Sequence, residues 1–278
     1  MLKLEERLTN CSSGDDSLIY HYTTLFSACK ILENNSLRLS NLTNTNDPLE
    51  FSLSSSFEFA CRGDIDIHKV FRELTVSKTH RENYVRMLCF CKDGFCKQED
   101  WQNDKNQNYA DNLLFKGWAR SRMWAQYADN HAGVCLVFDR NAIREQFNQL
   151  QAENIAILQD KEIIYDNHLT NLEVAMSDIN TSHDTLTDYS DFYLEEERLS
   201  YLFQKCEDYR DENEYRFCLI NRNLQSPDES MFMNLGASLK AVICGQRFSD
   251  ILKLKIPDTV EQFKIYWSYG QPRLFKLR

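Results

Sequence analysis

Short apolar runs with the composition of β-strands recur along the chain, and they constrain its fold more than any other feature. They are rich in Val, Ile, Tyr, Phe and Cys, residue types that favour strands or buried positions. Helix-like segments lie between them. We therefore expect an α+β fold in which helices pack on a mixed or antiparallel central sheet. The strand-like runs are residues 18–23, 37–40, 85–91, 134–139, 162–166, 214–220, 240–245 and 263–269.

The helix-like segments differ in how clearly their ends are marked. Asp47 is the expected N-cap of one helix, with Pro48 at its first position and Glu50 at its third. Gly133 is the expected C-cap of another. No internal repeat or clear boundary divides the sequence, so we expect one domain over residues 1–278, with an acidic helix-forming segment at about 169–208. The other predicted helices are residues 1–10, 25–35, 51–87, 120–133 and 141–153.

Charge and cysteine content exclude several classes of protein. The net charge of −10 disfavours binding of nucleic acid through the whole surface, which needs clustered Lys and Arg. Among the 10 cysteines the only close set is Cys89, Cys91 and Cys96, without a second cluster or a neighbouring His. Structural zinc sites usually have two such pairs. We therefore expect no bound metal.

The sequence carries no signal for a membrane. The first ten residues, MLKLEERLTN, are charged and amphipathic, so we expect no signal peptide. No apolar run approaches the ~20 residues that a membrane-spanning helix needs. We therefore expect a cytoplasmic protein with reduced thiols.

Two glutamates stand one residue apart in the segment DENEYRF, residues 211–217. Because successive strand residues point to opposite faces, Glu212, Glu214 and Arg216 are expected on one side of a strand. One interpretation is a solvated cluster of ion pairs at the surface. The other is a working site, and it predicts that His21, at the other end of the chain, lies in the same cleft as both glutamates.

A second set of candidates follows a helical spacing. Arg120, Trp124, Tyr127 and His131 are expected on one helix face, and we predict that their polar tips face the cleft of Glu214 while Trp124 packs below. The alternative is a half-buried packing face. The motifs of Ser hydrolases, Rossmann folds and P-loops do not occur in the sequence, so those classes are excluded.

Five segments in a fixed order resemble the bacterial family known as domain of unknown function 2971. They are Tyr20-His21-Tyr22, SNLTNTNDPLE, MWAQYADNHAGVCLVFD, KCEDYRDENEYRF and ICGQR. The chain departs from the family at Tyr209, where members often have Trp. The family name implies no activity.

A looser resemblance, carried by the strand-borne His-Tyr-Thr and the late Glu-x-Glu, is to ADP-ribosyltransferases, which include DNA-modifying toxins and RNA 2′-phosphotransferases. It implies NAD as substrate, a nucleic acid or protein as acceptor, and a role as a toxin or phage-defence effector. His21 would hold the cofactor, Glu214 would contact the ribose 2′-hydroxyl, and Glu212 would position the acceptor. The nicotinamide would stack on an aromatic residue. The residues implied in cofactor binding are His21, Tyr22, Thr23, Ser40, Asn46, Trp124, Tyr127, His131 and Arg216.

Two other functions remain open from the sequence. In a Mg²⁺-dependent nuclease, oxygen ligands would come from Asp47, Glu50, Glu212 and Glu214. The expected Lys of a nuclease motif does not accompany them. In a non-catalytic module, the same surface would sense a ligand or dock a protein in a stress or defence system.

Overall fold

The computed structural model describes residues 2–9, 15–47, 83–94, 111–150, 155–167, 202–249 and 254–277. Helices are short in these ranges and strands dominate, which confirms the predicted α+β class. The α-helices are α1 (Leu4–Thr9), α2 (Leu25–Asn34), α3 (Ser121–Tyr127) and α4 (Arg140–Asn148). The 3-10 helices are Leu42–Asn44, Asp111–Phe115, Gly117–Ala119 and Glu207–Glu212. None of the described helices is long and apolar enough to cross a membrane.

The strands build one large sheet and two small ones. They are β1 (Leu18–Thr23), β2 (Ser36–Leu39), β3 (Val85–Lys92), β4 (Val134–Asp139), β5 (Ile155–Glu162), β6 (Ile164–Tyr165), β7 (Gln204–Lys205), β8 (Glu214–Asn221), β9 (Met231–Asn234), β10 (Leu239–Cys244), β11 (Glu261–Ser268) and β12 (Gln271–Lys276). The large sheet has the order β12-β11-β10-β4-β1-β3-β8-β5. It is mixed, because β10 and β11 run parallel while the other neighbours are antiparallel.

The large sheet opens between β1 and β3. These strands pair only at Ile19 with Lys92 and at Tyr20 with Cys91. Beyond that point β1 stays paired with β4 as far as Thr23, and β3 stays paired with β8. Ser40 occupies part of the place that β1 leaves, since its backbone exchanges two 2.8 Å hydrogen bonds with Met87. The two halves of the sheet therefore part around a gap.

Apolar side chains cover both faces of the sheet. On one face, α2 and α4 contribute Ala28, Ile31, Ile143 and Phe147 to a core that includes Phe217. On the other, α1 and α3 contribute Leu8, Met123 and Trp124 to a second core, and a third cluster includes Met87 and Cys218. Each fully buried large apolar side chain contributes about 1.5–3 kcal/mol. Packing of these faces fixes the strands that border the gap.

Local signals at the helix ends agree with the sequence where the helices are found. Thr24 caps α2 by accepting a 3.2 Å hydrogen bond from the Ser27 N–H, and Asn35 ends α2 in the left-handed region with φ 49°. Asp139 caps α4 by accepting a 3.0 Å bond from the Ala142 N–H. Side-chain oxygens at these positions satisfy amides that have no partner within the helix.

The predicted helix over residues 120–133 is wrong in its second half. Helix α3 ends at Tyr127, and Asp129, Asn130 and His131 all have positive φ. Gly133 is not the C-cap, because the residue in that position is Ala128. Gly133 is required for another reason: a Cβ there would lie 2.3 Å from the Thr23 carbonyl oxygen. The backbone of this turn therefore packs directly against the end of β1.

Other expectations lie wholly or partly outside the described residues. The helix expected to begin at Pro48, most of 51–87 and most of 169–208 are among them. The end of the last segment is described and is not α-helical: it contains β7 and the start of the 3-10 helix at Glu207. Strands β7, β9 and β12 have no counterpart among the predicted strands, and β5 shares only Glu162 with one of them.

Candidate functional site

A cleft of about 330 Å³ lies at the gap between β1 and β3. It brings His21, Glu212 and Glu214 together, as the sequence predicts, although they are far apart along the chain. The other sequence candidates that line it are Tyr22, Ser40, Asn46, Tyr127 and Arg216. Thr23, Trp124 and His131 do not line it. Its volume is at the small end of the range for ligand pockets.

The charged floor of the cleft is a buried network centred on Lys205. Its ammonium group donates to Glu212 Oε2 at 2.7 Å and to Glu214 Oε2 at 2.8 Å. Arg216 Nε donates to the other oxygen of Glu214 at 2.8 Å. All four side chains are at most 6% exposed. The interpretation of this segment as a solvated surface cluster is therefore wrong, because the ion pairs are buried.

Opposite charges decide the protonation state of Glu214. Desolvation by burial alone would raise the pKa of this carboxyl group, but the charges of Arg216 and Lys205, with hydrogen bonds from Arg216 and Cys89, lower it from 4.5 to about 2. Glu214 is thus ionised throughout the physiological range. Lys205 donates to one of its oxygens and Arg216 to the other, and with the hydrogen bond from Cys89 these leave one lone pair that a ligand hydroxyl could use.

Glu212 reaches the network from a different element than expected. It is the last residue of the 3-10 helix Glu207–Glu212, not part of strand β8, so strand alternation does not place it beside Glu214. Asn213 makes the connection in the left-handed region with φ 43°. The Asn213 side-chain amide fixes this turn by donating to the carbonyl oxygens of Lys92 and Asp93 at 3.0 and 2.9 Å.

Tyr127 connects the cleft wall to Glu212. Its hydroxyl group donates to Glu212 Oε1 at 2.6 Å, and its side chain is half-buried. Burial, followed by the charge of Glu212, raises the pKa of the Tyr127 hydroxyl well above 10.0. Tyr127 therefore remains a neutral hydrogen-bond donor, and its ring presents an aromatic surface to the cleft.

His21 borders the cleft from the other side of the gap. By strand alternation Glu214 points to the face of the sheet away from Tyr215, whereas His21 points to the face that carries Ile19 and Tyr215. His21 and Glu214 are thus on opposite faces of the sheet, and His21 reaches the shared cleft through the gap. Its Nδ1 lies 3.2 Å from the Cys89 carbonyl oxygen, and its ring packs edge-on against Phe90. Because a carbonyl only accepts, Nδ1 carries the proton and Nε2 is left as an acceptor. Desolvation lowers the pKa of His21 below 6.5, which favours this neutral form.

The predicted stripe of four residues is only partly correct. Trp124 packs below the cleft as predicted: it is fully buried, donates to the Trp118 carbonyl oxygen at 2.8 Å and lies edge-on to Tyr22 at 5.1 Å. Arg120 does not line the cleft, and it donates to the Asp211 carbonyl oxygen. His131 stacks beyond Trp124 at 6.5 Å and is separated from the cleft because α3 has already ended.

Polar side chains form the rim of the cleft on the segment that follows β2. Ser40 and Asn46 were sequence candidates, whereas Arg38, Asn44 and Thr45 were not. Arg38 is exposed, and its guanidinium group makes no hydrogen bond or ion pair with the residues that the structure describes. The Asn46 carbonyl oxygen accepts a 2.8 Å bond from the Tyr209 hydroxyl, which joins the rim to the 3-10 helix that carries Glu212.

The candidate metal ligands of a nuclease are only partly described. Asp47 is buried, and its carboxylate accepts a 2.8 Å hydrogen bond from the Cys206 N–H; Glu50 lies outside the described residues. Over the described ranges, no group of three or more His, Cys, Asp or Glu side chains is arranged to hold a metal ion. Cys89 lines the cleft, and burial raises the pKa of its thiol well above 9.0.

Lys205 and Arg38 are the charged cleft residues that sequence reasoning missed. Lys205 sits on a strand of two residues after a long acidic segment, so no periodicity marks it. Its one signal is proximity, because it precedes Glu212 by seven positions. Arg38 alternates with Leu37 and Leu39 in β2, which is the pattern of any solvent-facing strand residue.

Comparison with known proteins gives one match. A family model described as "Protein of unknown function (DUF2971)" covers residues 123–217 and confirms the first of the two resemblances over that segment. The segment contains Tyr127, Lys205, Glu212, Glu214 and Arg216, so the charged network lies within it. No curated protein and no solved structure matches the chain.

Proposed function

We propose that this chain, which matches the DUF2971 family model over residues 123–217, is an ADP-ribosyltransferase-like enzyme that uses NAD⁺ as its substrate. The observation that carries the proposal is the single cleft, in a parted sheet, that is lined by His21, Tyr22, Glu212 and Glu214. The acceptor would be a nucleic acid or a protein. Such an activity suits a toxin or a phage-defence effector.

The ionised Glu214 supplies the electrostatic part of the mechanism. When the bond between nicotinamide and ribose breaks, nicotinamide leaves with the bonding electrons and positive charge develops on the ribose. A fixed carboxylate that accepts from the 2′-hydroxyl stabilises this charge. A pKa near 2 suits this role, since the group must stay negative and exchange no proton. Glu212, held by Tyr127 and Lys205, would position the acceptor.

The remaining lining residues suit the rest of the dinucleotide. Neutral His21 offers Nε2 as an acceptor for a ribose hydroxyl. Tyr22 and Tyr127 offer aromatic surface for the nicotinamide ring. The cleft is lined by the cations Arg38, Lys205 and Arg216 and by two glutamates, which leaves one positive charge in excess. Because Arg38 lies at the exposed rim, we propose that its guanidinium group binds the pyrophosphate of NAD⁺.

The volume of the cleft limits what it encloses. At about 330 Å³ it suits the nicotinamide–ribose end of NAD⁺, with the adenosine end outside. This arrangement places the scissile bond near Glu214 and the pyrophosphate near Arg38. It also leaves the acceptor an approach along the 3-10 helix that carries Glu212.

The test is release of nicotinamide from NAD⁺ by the purified chain, with single-stranded DNA, RNA or a protein lysate as acceptor. Wild type is expected to turn over NAD⁺ with at least one acceptor, and E214Q to lose two or more decades of turnover, on the order of ~3–4 kcal/mol. E261Q is the matched control, because Glu261 on β11 pairs with Lys276 on β12, and β11 lies three strands away from β1. E214Q as active as E261Q would remove Glu214 from the mechanism.

A non-catalytic ligand-sensing module is the second candidate. The observation in its favour is that Lys205 and Arg216 already neutralise both glutamates, which suits a cleft built for binding. A sensor would bind a nucleotide without consuming it. Titration calorimetry with NAD⁺ and ADP-ribose, run beside the nicotinamide assay, distinguishes the two: saturable binding with unchanged NAD⁺ identifies the sensor.

A further inference from the structure

Lys205 is a single cation that contacts both glutamates of the cleft. Its Nζ is 2.7 Å from Glu212 Oε2 and 2.8 Å from Glu214 Oε2, and its side chain is 6% exposed. The two glutamates come from different elements, a 3-10 helix and a strand, and the turn at Asn213 joins their backbones. The shared ammonium group of Lys205 links the carboxylate ends of their side chains.

We propose that Lys205 is the positioning residue of the cleft, which holds Glu212 and Glu214 together and keeps the Glu214 carboxylate negative at its place beside the ligand. This inference rests on the proposed function, because it assigns the two glutamates to donor and acceptor. Lys205 itself touches neither ligand in this scheme. It acts through the carboxylates.

The surroundings of Lys205 are built to hold its ammonium group in place. Strand β7 pairs with β6, and the Asp166 N–H donates to the Lys205 carbonyl oxygen at 3.0 Å. The ring of Tyr209 lies 5.2 Å from Nζ on another side. A side chain with four rotatable bonds is thereby confined at both ends. A fixed cation gives both carboxylates a fixed geometry.

Arg216 does not replace Lys205. Arg216 bonds Glu214 through Nε and directs Nη1 to the Leu202 carbonyl oxygen at 2.5 Å. Without Lys205, Glu214 would keep its bonds from Arg216 and Cys89, and Glu212 would keep its bond from Tyr127. The ionisable groups that face Glu214 are Arg216 on its own strand, Lys205 on β7, Cys89 on β3, Tyr165 on β6 and neighbouring Glu212.

The first test measures the charge of Glu214 without any turnover. The chain is labelled with ¹³C at the glutamate carboxyl carbons, and the Glu214 signal is assigned by its absence in E214Q. In wild type this signal stays ionised down to the lowest pH at which the protein is folded. In K205M we expect the midpoint of the Glu214 titration to rise by about one to three pH units. K205R, which keeps the charge, is expected to restore most of the wild-type behaviour.

The second test uses the pH dependence of NAD⁺ turnover. In K205M, turnover should fall about tenfold for each pH unit below the raised pKa, since protonated Glu214 is inactive. K205R should lack this loss. A merely structural Lys205 would lower turnover equally at every pH. A K205M profile parallel to wild type, or a Glu214 titration that does not move, overturns the proposal.

The two proposals fail separately. If wild type consumes no NAD⁺ with any acceptor, the transferase proposal fails, while the carboxyl titration still decides whether Lys205 keeps Glu214 negative. If K205M does not fold, K205M/E212Q is compared with E212Q, because the double variant removes one positive and one negative charge together. An upward move of the Glu214 titration in that pair supports Lys205, and an unchanged titration overturns its role.

Discussion

The Nδ1 atom of His21 lies 3.2 Å from the carbonyl oxygen of Cys89, across the gap where β1 and β3 separate. In a continuous antiparallel pair that carbonyl would have met a backbone N–H of the neighbouring strand. The imidazole N–H of His21 replaces that backbone N–H as the donor. A side chain thus satisfies the backbone where the sheet opens, and its second nitrogen is left for the cleft.

The first prediction concerns the pH dependence that His21 gives to stability. Its pKa is lowered by burial in the folded chain, so the unfolded chain binds the proton first as the pH falls. The stabilisation is fully present above pH 6.5 and decreases as the pH drops through the lowered pKa. The slope from this one group is at most about 1.4 kcal/mol per pH unit.

Urea unfolding of wild type and H21Q between pH 5 and 8 measures this contribution. Gln keeps an N–H that can reach the Cys89 carbonyl oxygen and does not titrate. The stability advantage of wild type over H21Q should shrink towards pH 5. A difference that is constant across this range would mean that His21 is equally protonated in both states.

The second prediction concerns the buried charge of Glu214. E214Q leaves Arg216 and Lys205 with one carboxylate between them, and breaking a buried ion pair in this way costs about 3–5 kcal/mol. This cost is larger than a surface pair would give. Because the pKa is lowered from 4.5 to about 2, the stabilisation is present above pH 4.5 and is lost as the pH falls towards 2.

Chemical unfolding at pH 7 and pH 3 checks both statements. The difference in free energy of unfolding between wild type and E214Q should be largest at pH 7 and smaller at pH 3. E261Q, which alters an exposed pair on β11, should change little at either pH. An E214Q protein as stable as E261Q would contradict the buried network.

The third prediction concerns Gly117, which packs against the Tyr20 ring in the wall of the cleft. A Cβ at this position would lie 2.2 Å from Cδ2 of the buried Tyr20 ring, which lines the cleft. G117A must displace that ring, and we expect it to cost about 1–3 kcal/mol. G94A is the control, since the nearest atom to its Cβ is the mobile end of Arg120 at 3.2 Å. Thermal unfolding that ranks the two variants equally would contradict this packing.

The fourth prediction concerns Arg86, a buried guanidinium group that holds a loop through backbone carbonyls. It donates to the carbonyl oxygens of Val85, Asn83, Ser226, Pro227 and Glu229 at 2.7 to 3.4 Å. Lys has three donors on one atom and cannot reproduce this fan of bonds. R86K should therefore lose about 3 kcal/mol. Urea unfolding of R86K and wild type measures this loss. R144K, at a partly exposed pair with Asp160, is the control in that experiment and should lose less stability.

The sequence predicts the strands of this protein better than it predicts the site. Alternation in residues 214–220 correctly separates Arg216 from Tyr215, because strand period 2 is fixed by the backbone. The place of Glu212 follows instead from a left-handed Asn213, which periodicity does not encode. The helical stripe fails for a related reason: positive φ from Asp129 to His131 ends α3 early.

Long-range partners account for the rest of what sequence patterns miss. Nothing near Lys205 indicates that its ammonium group is buried, since burial depends on how β7 docks beside the 3-10 helix. Sequence patterns also do not reveal that β1 separates from β3. The six residues of β1 have the pattern of an ordinary strand. The opening is visible only in the structure, where β1 leaves β3 after two residue pairs and Ser40 bonds Met87.

The short contact between β1 and β3 makes the large sheet behave as two panels, of five and three strands, joined along a seam two residue pairs long. A ligand that binds in the gap would contact strands of both panels. Amide hydrogen exchange at Ile19 and Tyr20 should then slow when a ligand braces the seam, while the amides of β12 at the far edge stay unchanged. Slower exchange at these two amides would report that the cleft is occupied, whether the ligand is a substrate that is consumed or a signal that is only bound.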